Sequence, residues 1–157
     1  MPPYAQDAFT AAHEALQAGW LDRLMTALSA AFEPWILALV ALALFSWLER
    51  DVPSVLRSFL PFVVALGLAI AGGALAGRVG FGGQALATAV FASYAIATYG
   101  RRALPLLLVP LLGGLVRVHA GAHWAFDVLR GWGFGAALGV AAHLVAVRAW
   151  SRARREP

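Results

Sequence analysis

The sequence predicts an all-helical membrane protein, a polytopic bundle of about five transmembrane helices preceded by an amphipathic helix at the membrane interface. Of its 157 residues, 61% are hydrophobic and 13% are charged, and the mean hydropathy is +0.74. A soluble chain of this length needs more polar surface. A helix that crosses a hydrocarbon core of about 30 Å needs about 20 mostly apolar residues, and apolar runs recur along the whole chain.

The charged residues restrict the classes of partner and cofactor. All twelve basic residues are arginine, the net charge is +4, and the chain has no cysteine. The absence of cysteine excludes disulfides and thiolate metal sites. We expect membrane lipids rather than nucleic acid as partners, because no basic patch with interleaved aromatics lies on a polar face. No cluster of acidic and histidine ligands indicates a metal, and we expect no cofactor.

Three segments are predicted: an N-terminal segment over 1–33, a transmembrane domain over 34–150 and a basic tail over 151–157. Within the first, residues 5–32 carry apolar side chains at helical spacing, with Gly19 as a candidate break. This pattern predicts a helix or helix pair lying in the membrane interface, with a short partial span as the alternative.

The predicted spans are 34–48, 58–76, 83–99, 103–115 and 124–150. Pro34 begins the first span, and the polar stretch 49–51 with Pro53 ends it. Small residues recur at four-residue intervals, which predicts close helix packing in lipid. These positions are Gly73 and Gly77 in one set and Gly131, Gly135 and Gly139 in the other.

The arginines predict the orientation. Eight of the twelve fall on turns that span counting assigns to one face: Arg50, Arg57, Arg101, Arg102, Arg148, Arg152, Arg154 and Arg155. The positive-inside rule makes that face, and the C-terminus, cytoplasmic. The turns near 77–84 and 116–123 then share the external face, which for a bacterial inner membrane is periplasmic. We therefore expect Arg78, Gln84, Arg117 and His123 to lie close together.

The stretch 117–127 combines three residue types that suit phosphate chemistry. Arg117 can bind an anion through its planar guanidinium, and His123 can act as a nucleophile or proton carrier. Asp127, four residues later, shares a helical face with His123 and can orient its ring. Structural alternatives remain: Asp127 can stabilise the start of a helix, and Arg78 and Arg117 can reach lipid headgroups as membrane anchors.

The spacing of these residues, Arg, five residues, His, three residues, Asp, resembles the third motif of the type 2 phosphatidic acid phosphatase superfamily. Its leading serine is Val116 here. The glycine-bearing helix start that follows, 128–135, is similar as well. The resemblance implies an integral membrane hydrolase of a lipid phosphate or diphosphate, such as a polyprenyl diphosphate. In that mechanism His123 attacks phosphorus, Asp127 holds its ring, and Arg78 and Arg117 neutralise the phosphate oxygens.

The first two motifs of the superfamily are only partly present. The lysine of the first motif corresponds to Ala71, and its Arg-Pro pair to Arg78 and Val79. A second frame on Arg50 and Arg57 is rejected because those residues fall on the opposite face.

The second motif, Pro-Ser-Gly-His, corresponds to residues 81–84, in which Gly83 is retained and Gln84 replaces the histidine. Backbone N–H groups at Gly83 and Gln84 can still bind phosphate at a helix start. Gln84 cannot supply a proton to a leaving group, however, and His119 is an alternative donor.

Two functions therefore remain open from the sequence. The first is a lipid-phosphate phosphatase. The second is a catalytically impaired relative that binds a lipid headgroup or serves as an accessory subunit, alone, as a homo-oligomer or with a membrane partner. The remaining histidine of the apolar region, His143, is expected to hydrogen-bond a neighbouring helix.

Overall fold

The computed structural model describes residues 19–75, 83–121 and 125–153, and these residues form helices joined by short turns. In chain order the helices are α1 (Gly19–Ala31), α2 (Pro34–Leu48), α3 (Val52–Leu75), α4 (Gly83–Tyr99), a 3₁₀ helix (Gly100–Leu107), α5 (Leu108–His119) and α6 (Ala125–Ala153). The described residues contain no strand. The all-helical prediction is confirmed.

Three helical stretches within the described residues are long and apolar enough to cross a membrane: Val52–Ala74, Gly83–His119 and Ala125–Arg152. A fourth is possible if α1 and α2, which meet at an angle of 67°, form one bent span. Several long apolar helices thus fit an integral membrane protein. The count of five spans is not confirmed, since α2 alone, with 15 residues, is only about 22 Å long.

The stretch Gly83–His119 folds back on itself. A Cβ built on Gly113 would lie 3.1 Å from the Thr88 side chain, although 25 residues of straight helix extend about 37 Å. The chain reverses at Gly100, whose φ of +63° lies in the left-handed region that glycine adopts readily. The predicted division between 83–99 and a following helix is therefore present, and α4 and α5 run antiparallel.

The second predicted span begins earlier than expected, at Val52 rather than at residue 58. Asp51 Oδ2 accepts a hydrogen bond from the Ser54 backbone N–H at 2.9 Å, which caps the start of α3. Pro53 lies in the first helical turn, where its missing N–H has no helical partner to lose. The proline that was expected to separate two spans thus helps to begin α3.

Helix α4 is the centre of the bundle. Its residues 84–92 are all buried, and α2, α3, α5 and α6 pack around it. Gly135 and Gly139 of α6 face α4 so closely that added Cβ atoms would lie 2.8 Å from the Ala89 side chain and from the Val90 carbonyl oxygen, respectively. The predicted packing role of these two glycines is confirmed, whereas Gly77 lies outside the described residues.

An aromatic cluster joins α2, α3 and α4. Phe45 of α2 contacts the rings of both α3 and α4, with centroid separations of 5.4–6.5 Å. The cluster consists of Phe45, Phe59, Phe62, Phe91, Tyr94 and Tyr99. Edge-to-face and tilted pairs of this kind add about 0.5–1.5 kcal/mol each beyond their buried area. They fix the angle at which α2 crosses the bundle.

Alternating helix directions give the molecule two ends. The site end is formed by the starts of α2, α4 and α6 and the finishes of α3 and α5. The arginine-rich end is formed by the opposite termini and the 3₁₀ helix. It carries Arg50, Arg57, Arg101, Arg102, Arg148 and Arg152. Arg154 and Arg155 lie outside the described residues.

Candidate functional site

A small cavity at the site end brings together residues from four helices. Its volume is about 180 Å³, and Gly83, Gln84 and Arg117 line it with Glu33 and Gly73 among others. Gly83 and Gln84 begin α4, and Arg117 lies in the last turn of α5. Three of the residues singled out from the sequence thus meet on one cavity, although Arg117 lies 33 residues after Gln84 in the chain.

Arg117 is the cation of this cavity. Its side chain is half-buried, and its Nε atom is buried without a hydrogen-bond acceptor among the described residues. A buried donor without a partner typically costs about 1–3 kcal/mol, and more when the group is charged. An anion in the cavity would remove that cost, and a planar guanidinium binds carboxylate or phosphate oxygens especially well.

The start of α4 supplies the second favourable feature for an anion. The first N–H groups of a helix lack helical partners and carry the positive end of the helix dipole. Gly73 of α3 packs here against Gly83, with 3.2 Å between the Cβ position of Gly73 and the Cα of Gly83. The absence of side chains at both positions lets the backbone itself line the cavity.

Gln84 is held in place by α1. Its Nε2 donates to the Ser29 carbonyl oxygen at 2.7 Å, and the residue is only 4% exposed. Its Oε1 has no donor among the described residues. The carboxamide therefore fixes the end of α1 against the start of α4, and it offers no acidic proton to a ligand.

His119 also contacts α1. The residue is 7% exposed, and its Nε2 lies 2.7 Å from Asp22 Oδ1. This pair connects residues 97 positions apart and ties α1 to the finish of α5. The arrangement favours a structural role for His119 over proton donation. Asp22 was not singled out from the sequence, although an acidic residue within a largely apolar helix commonly marks a polar contact.

Glu33 is a further residue that sequence reasoning missed. It precedes α2 at the N-cap position and lines the same cavity as Arg117. Its side chain is exposed, so water screens its charge. No residue spacing connects position 33 with position 117, and only the shared cavity reveals their proximity.

The remaining predicted site residues lie in or beside the chain connections at the site end, Arg78 between α3 and α4, and His123 and Asp127 at the junction of α5 and α6. His123 and Arg78 lie outside the described residues. Asp127 is half-buried in the first turn of α6, where its charge also suits the helix dipole. Gly121, with φ +64°, turns the chain away from α5. No group of three His, Cys, Asp or Glu side chains within the described ranges is arranged to hold a metal ion.

His143 behaves as the sequence predicted. Its Nδ1 lies 3.2 Å from Thr98 Oγ1 of α4, at the arginine-rich end and far from Arg117. Arg57 also lies at that end, which agrees with the rejection of a phosphate motif built on Arg50 and Arg57.

Comparisons with known proteins give no further guide. No family model, no curated protein and no solved structure matches this chain. The resemblance to the type 2 phosphatidic acid phosphatases therefore depends on the residues and spacings of the sequence.

Proposed function

We propose that this protein is a membrane-embedded hydrolase of lipid phosphates or diphosphates, of the type 2 phosphatidic acid phosphatase kind, with its reaction centre at the site end. One observation carries the proposal. The buried, unpartnered Nε of Arg117 lines the same cavity as Gly83 and Gln84 at the start of α4. Two independent anion-binding features, an arginine and a helix start, thus line one cavity. Arg117 precedes His123 by six residues in the chain.

The cavity suits a headgroup rather than a whole lipid. Pockets that enclose drug-sized ligands measure about 300–1,000 Å³, whereas this one measures about 180 Å³. A phosphate group would enter it while the hydrocarbon chain stayed outside, in the membrane. Arg117, Arg78 and the N–H groups of α4 would then neutralise the phosphate oxygens.

The proposed reaction has two steps. His123 attacks phosphorus in line, the bond from phosphorus to the leaving oxygen breaks, and Asp127 stabilises the imidazolium that forms. Water then attacks the phosphohistidine, which releases inorganic phosphate and restores the histidine.

Gln84 directs the substrate preference. An alkoxide leaving group needs a proton, and a positioned general acid contributes about a hundred- to ten-thousand-fold to such a step. The carboxamide of Gln84 cannot provide it and is already bonded to Ser29. When a lipid diphosphate is attacked at its terminal phosphorus, the leaving group is the lipid monophosphate anion, which departs without a proton. We therefore expect a lipid diphosphate, such as a polyprenyl diphosphate, to be preferred over a monoester.

The arginines give the proposed orientation. The six that the structure describes at the arginine-rich end would face the cytoplasm, and the C-terminus with them. The site end would then face the periplasm of a bacterial inner membrane. Substrate would enter from the outer leaflet.

A second candidate function is favoured by the same Gln84 contact. A protein that binds a phosphorylated headgroup without hydrolysing it needs Arg117 and the start of α4 but no proton donor. Such a protein could act as an accessory subunit of a membrane assembly. This alternative keeps the anion cavity and abandons the roles of His123 and Asp127.

The decisive experiment measures phosphate release by the purified protein in detergent, with a polyprenyl diphosphate and a phosphatidic acid as substrates. We expect turnover of the diphosphate that disappears in His123→Ala and persists in His13→Ala, the same exchange outside the motif. Turnover that survives His123→Ala would refute the histidine mechanism.

Gln84→His separates the two candidate functions. Restoring a proton donor should raise hydrolysis of the monoester by about tenfold or more, with little effect on the diphosphate. If neither the native protein nor this variant releases phosphate while both bind the diphosphate, the accessory function is supported and the enzymatic one is refuted.

A further inference from the structure

A larger cavity lies at the arginine-rich end, between the start of α3 and the final turns of α4 and α6. Its volume is about 510 Å³. Its polar lining includes Arg57, Ser58, Thr98 and His143, and Val147 and Trp150 are among its apolar residues. The proposed phosphatase chemistry at the site end uses none of these residues.

Arg57 is the charged group of this cavity. Its Nε is buried and finds no acceptor among the described residues, and its Cζ lies 4.9 Å from the centre of the Trp150 ring. Stacking on an aromatic ring holds a guanidinium in position while its N–H groups stay free to bind an anion. The guanidinium is thus oriented, and its Nε lacks a hydrogen-bond acceptor among the described residues.

The neighbouring carboxylates do not form an ion pair with Arg57. Glu49 Oε1 accepts hydrogen bonds from Ser58 Oγ at 2.9 Å and from the Tyr99 hydroxyl at 3.2 Å. Asp51 is fully exposed and caps α3 through hydrogen bonds from Ser54, which chiefly lower its pKa; the charge of Arg57 lowers that pKa further, although no ion pair closer than 4 Å joins the two side chains. Within the described part of the chain, the one ion pair closer than 4 Å joins His119 to Asp22, at the other end.

His143 is the polar side chain that α6 contributes near Thr98. The Thr98 hydroxyl donates to the Tyr94 carbonyl oxygen at 2.8 Å, so Nδ1 of His143 serves as the donor to Thr98 Oγ1. This arrangement fixes the ring, and in the neutral imidazole it leaves Nε2 as a hydrogen-bond acceptor. The cavity therefore has polar side chains on three helices, α3, α4 and α6.

An apolar groove continues from this cavity along the outside of the bundle. The groove has a volume of about 500 Å³, runs between α3 and α6, and shares Ala146 and Trp150 with the Arg57 cavity. None of the residues that line it is charged; Leu60, Val64 and Val145 are representative. A cation at one end of a long apolar groove matches an amphiphile with an anionic head.

We propose that the Arg57 cavity binds the phosphate headgroup of an anionic membrane lipid, with an acyl chain of that lipid in the groove between α3 and α6. Free phosphate would satisfy Arg57 alone and would leave the groove unused, so the lipid is the occupant that fits both. The site is separate from the proposed reaction centre and does not depend on its activity.

The test measures lipid binding by native mass spectrometry of the protein in a neutral detergent, with Arg117→Gln as the background so that the site end does not contribute. We expect phosphatidylglycerol to bind more tightly than phosphatidylcholine, which has the same chains and phosphate but no net charge. Arg57→Gln should weaken phosphatidylglycerol binding by about tenfold or more, as for loss of a charge-assisted hydrogen bond.

The matched control is Arg148→Gln, which removes an exposed arginine from the same end. It should leave the affinity for phosphatidylglycerol nearly unchanged. Equal losses in the two variants, equal binding of the two lipids, or displacement of phosphatidylglycerol by millimolar inorganic phosphate would each overturn the proposal.

Val147→Trp provides an independent variant if Arg57→Gln fails to fold. Val147 lines the cavity but its side chain is exposed, so a larger residue fills the space without disturbing the core. With Arg57 retained and the thermal midpoint unchanged, phosphatidylglycerol binding should still be lost. Normal binding in this variant would refute the assignment of the headgroup to this cavity.

Discussion

Each of the two ends of the molecule has an arginine that lines a cavity, but the two cavities differ in size and in lining. Arg117 at the site end and Arg57 at the arginine-rich end each have a buried Nε without an acceptor among the described residues. The first lines a cavity of about 180 Å³ beside a helix start, and the second lines one of about 510 Å³ beside Trp150. An arginine whose buried Nε lacks an acceptor therefore predicts a bound anion, and the shape of the surrounding cavity decides which molecule carries that anion.

The ends also differ in how they are closed. Helix α1 packs over the site end through His119 with Asp22 and through Gln84 with Ser29. At the arginine-rich end, Glu49 instead joins α3 and α4 through two hydroxyl groups. The contacts at the site end join residues 97 and 55 positions apart, and those of Glu49 join residues 9 and 50 positions apart.

The largest expected effect comes from removing the cation at the site end. Arg117→Gln should reduce phosphate release by about a hundredfold or more, because it removes a preorganised donor to the transferred phosphoryl group. Arg148→Gln, the same exchange at the opposite end, should leave the rate unchanged. The measurement is the initial rate of phosphate release from a polyprenyl diphosphate. Similar rates for the two variants would contradict the assignment of the reaction centre to the site end.

Gly135→Ala should disturb both ends together, because the contact of α4 with α6 joins them. An added Cβ would lie 2.8 Å from the Ala89 side chain. Overpacking of this kind costs about 1–3 kcal/mol, which exceeds the gain of up to about 1 kcal/mol from replacing glycine by alanine in a helix.

Gly133→Ala is the control for that exchange, since nothing lies within 4 Å of its added Cβ. Thermal unfolding in detergent should show a lower midpoint for Gly135→Ala and an unchanged or higher one for Gly133→Ala. The reverse order would mean that α4 and α6 do not pack as described.

His119→Phe tests how α1 closes the site end. Loss of the buried contact with Asp22 should destabilise the protein by about 1–3 kcal/mol, seen as a lower thermal midpoint. Asp22→Asn, which keeps an acceptor oxygen, should have a smaller effect. Loss of a general acid would lower the rate of phosphate release about a hundredfold or more. We expect His119→Phe to lower that rate far less. A loss that large, with the midpoint preserved, would instead make His119 the proton donor.

The smallest effect is expected at the exposed cap of α3, at the arginine-rich end. The hydrogen bond from the Ser54 N–H lowers the pKa of Asp51 from its ordinary value of 3.8. A lowered pKa in the folded protein means that the ionised carboxylate stabilises the fold above pH 3.8, and that this contribution is lost as the pH falls through the folded value. Asp51→Ala should therefore lower the thermal midpoint slightly at pH 7, with a difference that shrinks in acid. A constant difference would exclude the charge as its source.

Sequence patterns predicted the helices better than they predicted the contacts. The predicted bounds 34–48 and 83–99 coincide with α2 and α4, because hydropathy and helix-ending residues are local signals. The start of α3 was missed because Pro53 indicates a break and a first helical turn equally well. The predicted number of five spans is not confirmed, since α2 is helical and apolar yet too short to cross a membrane alone.

For the candidate site, the sequence supplied residue types and the structure supplied their neighbours. Gly83, Gln84 and Arg117 were expected to meet because helix directions alternate, and they line one cavity. Gln84 contacts Ser29, 55 residues away, and His119 contacts Asp22, 97 residues away. No pattern in the sequence connected either pair. Such pairs depend on how α1 packs against the bundle, which no local spacing encodes.

The sequence by itself determined that this protein is helical and apolar enough for a membrane, that Gly135 and Gly139 lie at a helix interface, and that Gln84 and Arg117 share one end. Composition and periodicity suffice for those properties because each depends on residues within one helix or on the number of chain reversals. Only the tertiary structure decided that the Gln84 carboxamide is occupied, that His119 pairs with Asp22, and that Arg57 opens onto an apolar groove. These facts depend on distances between helices, which are fixed by packing of the whole bundle.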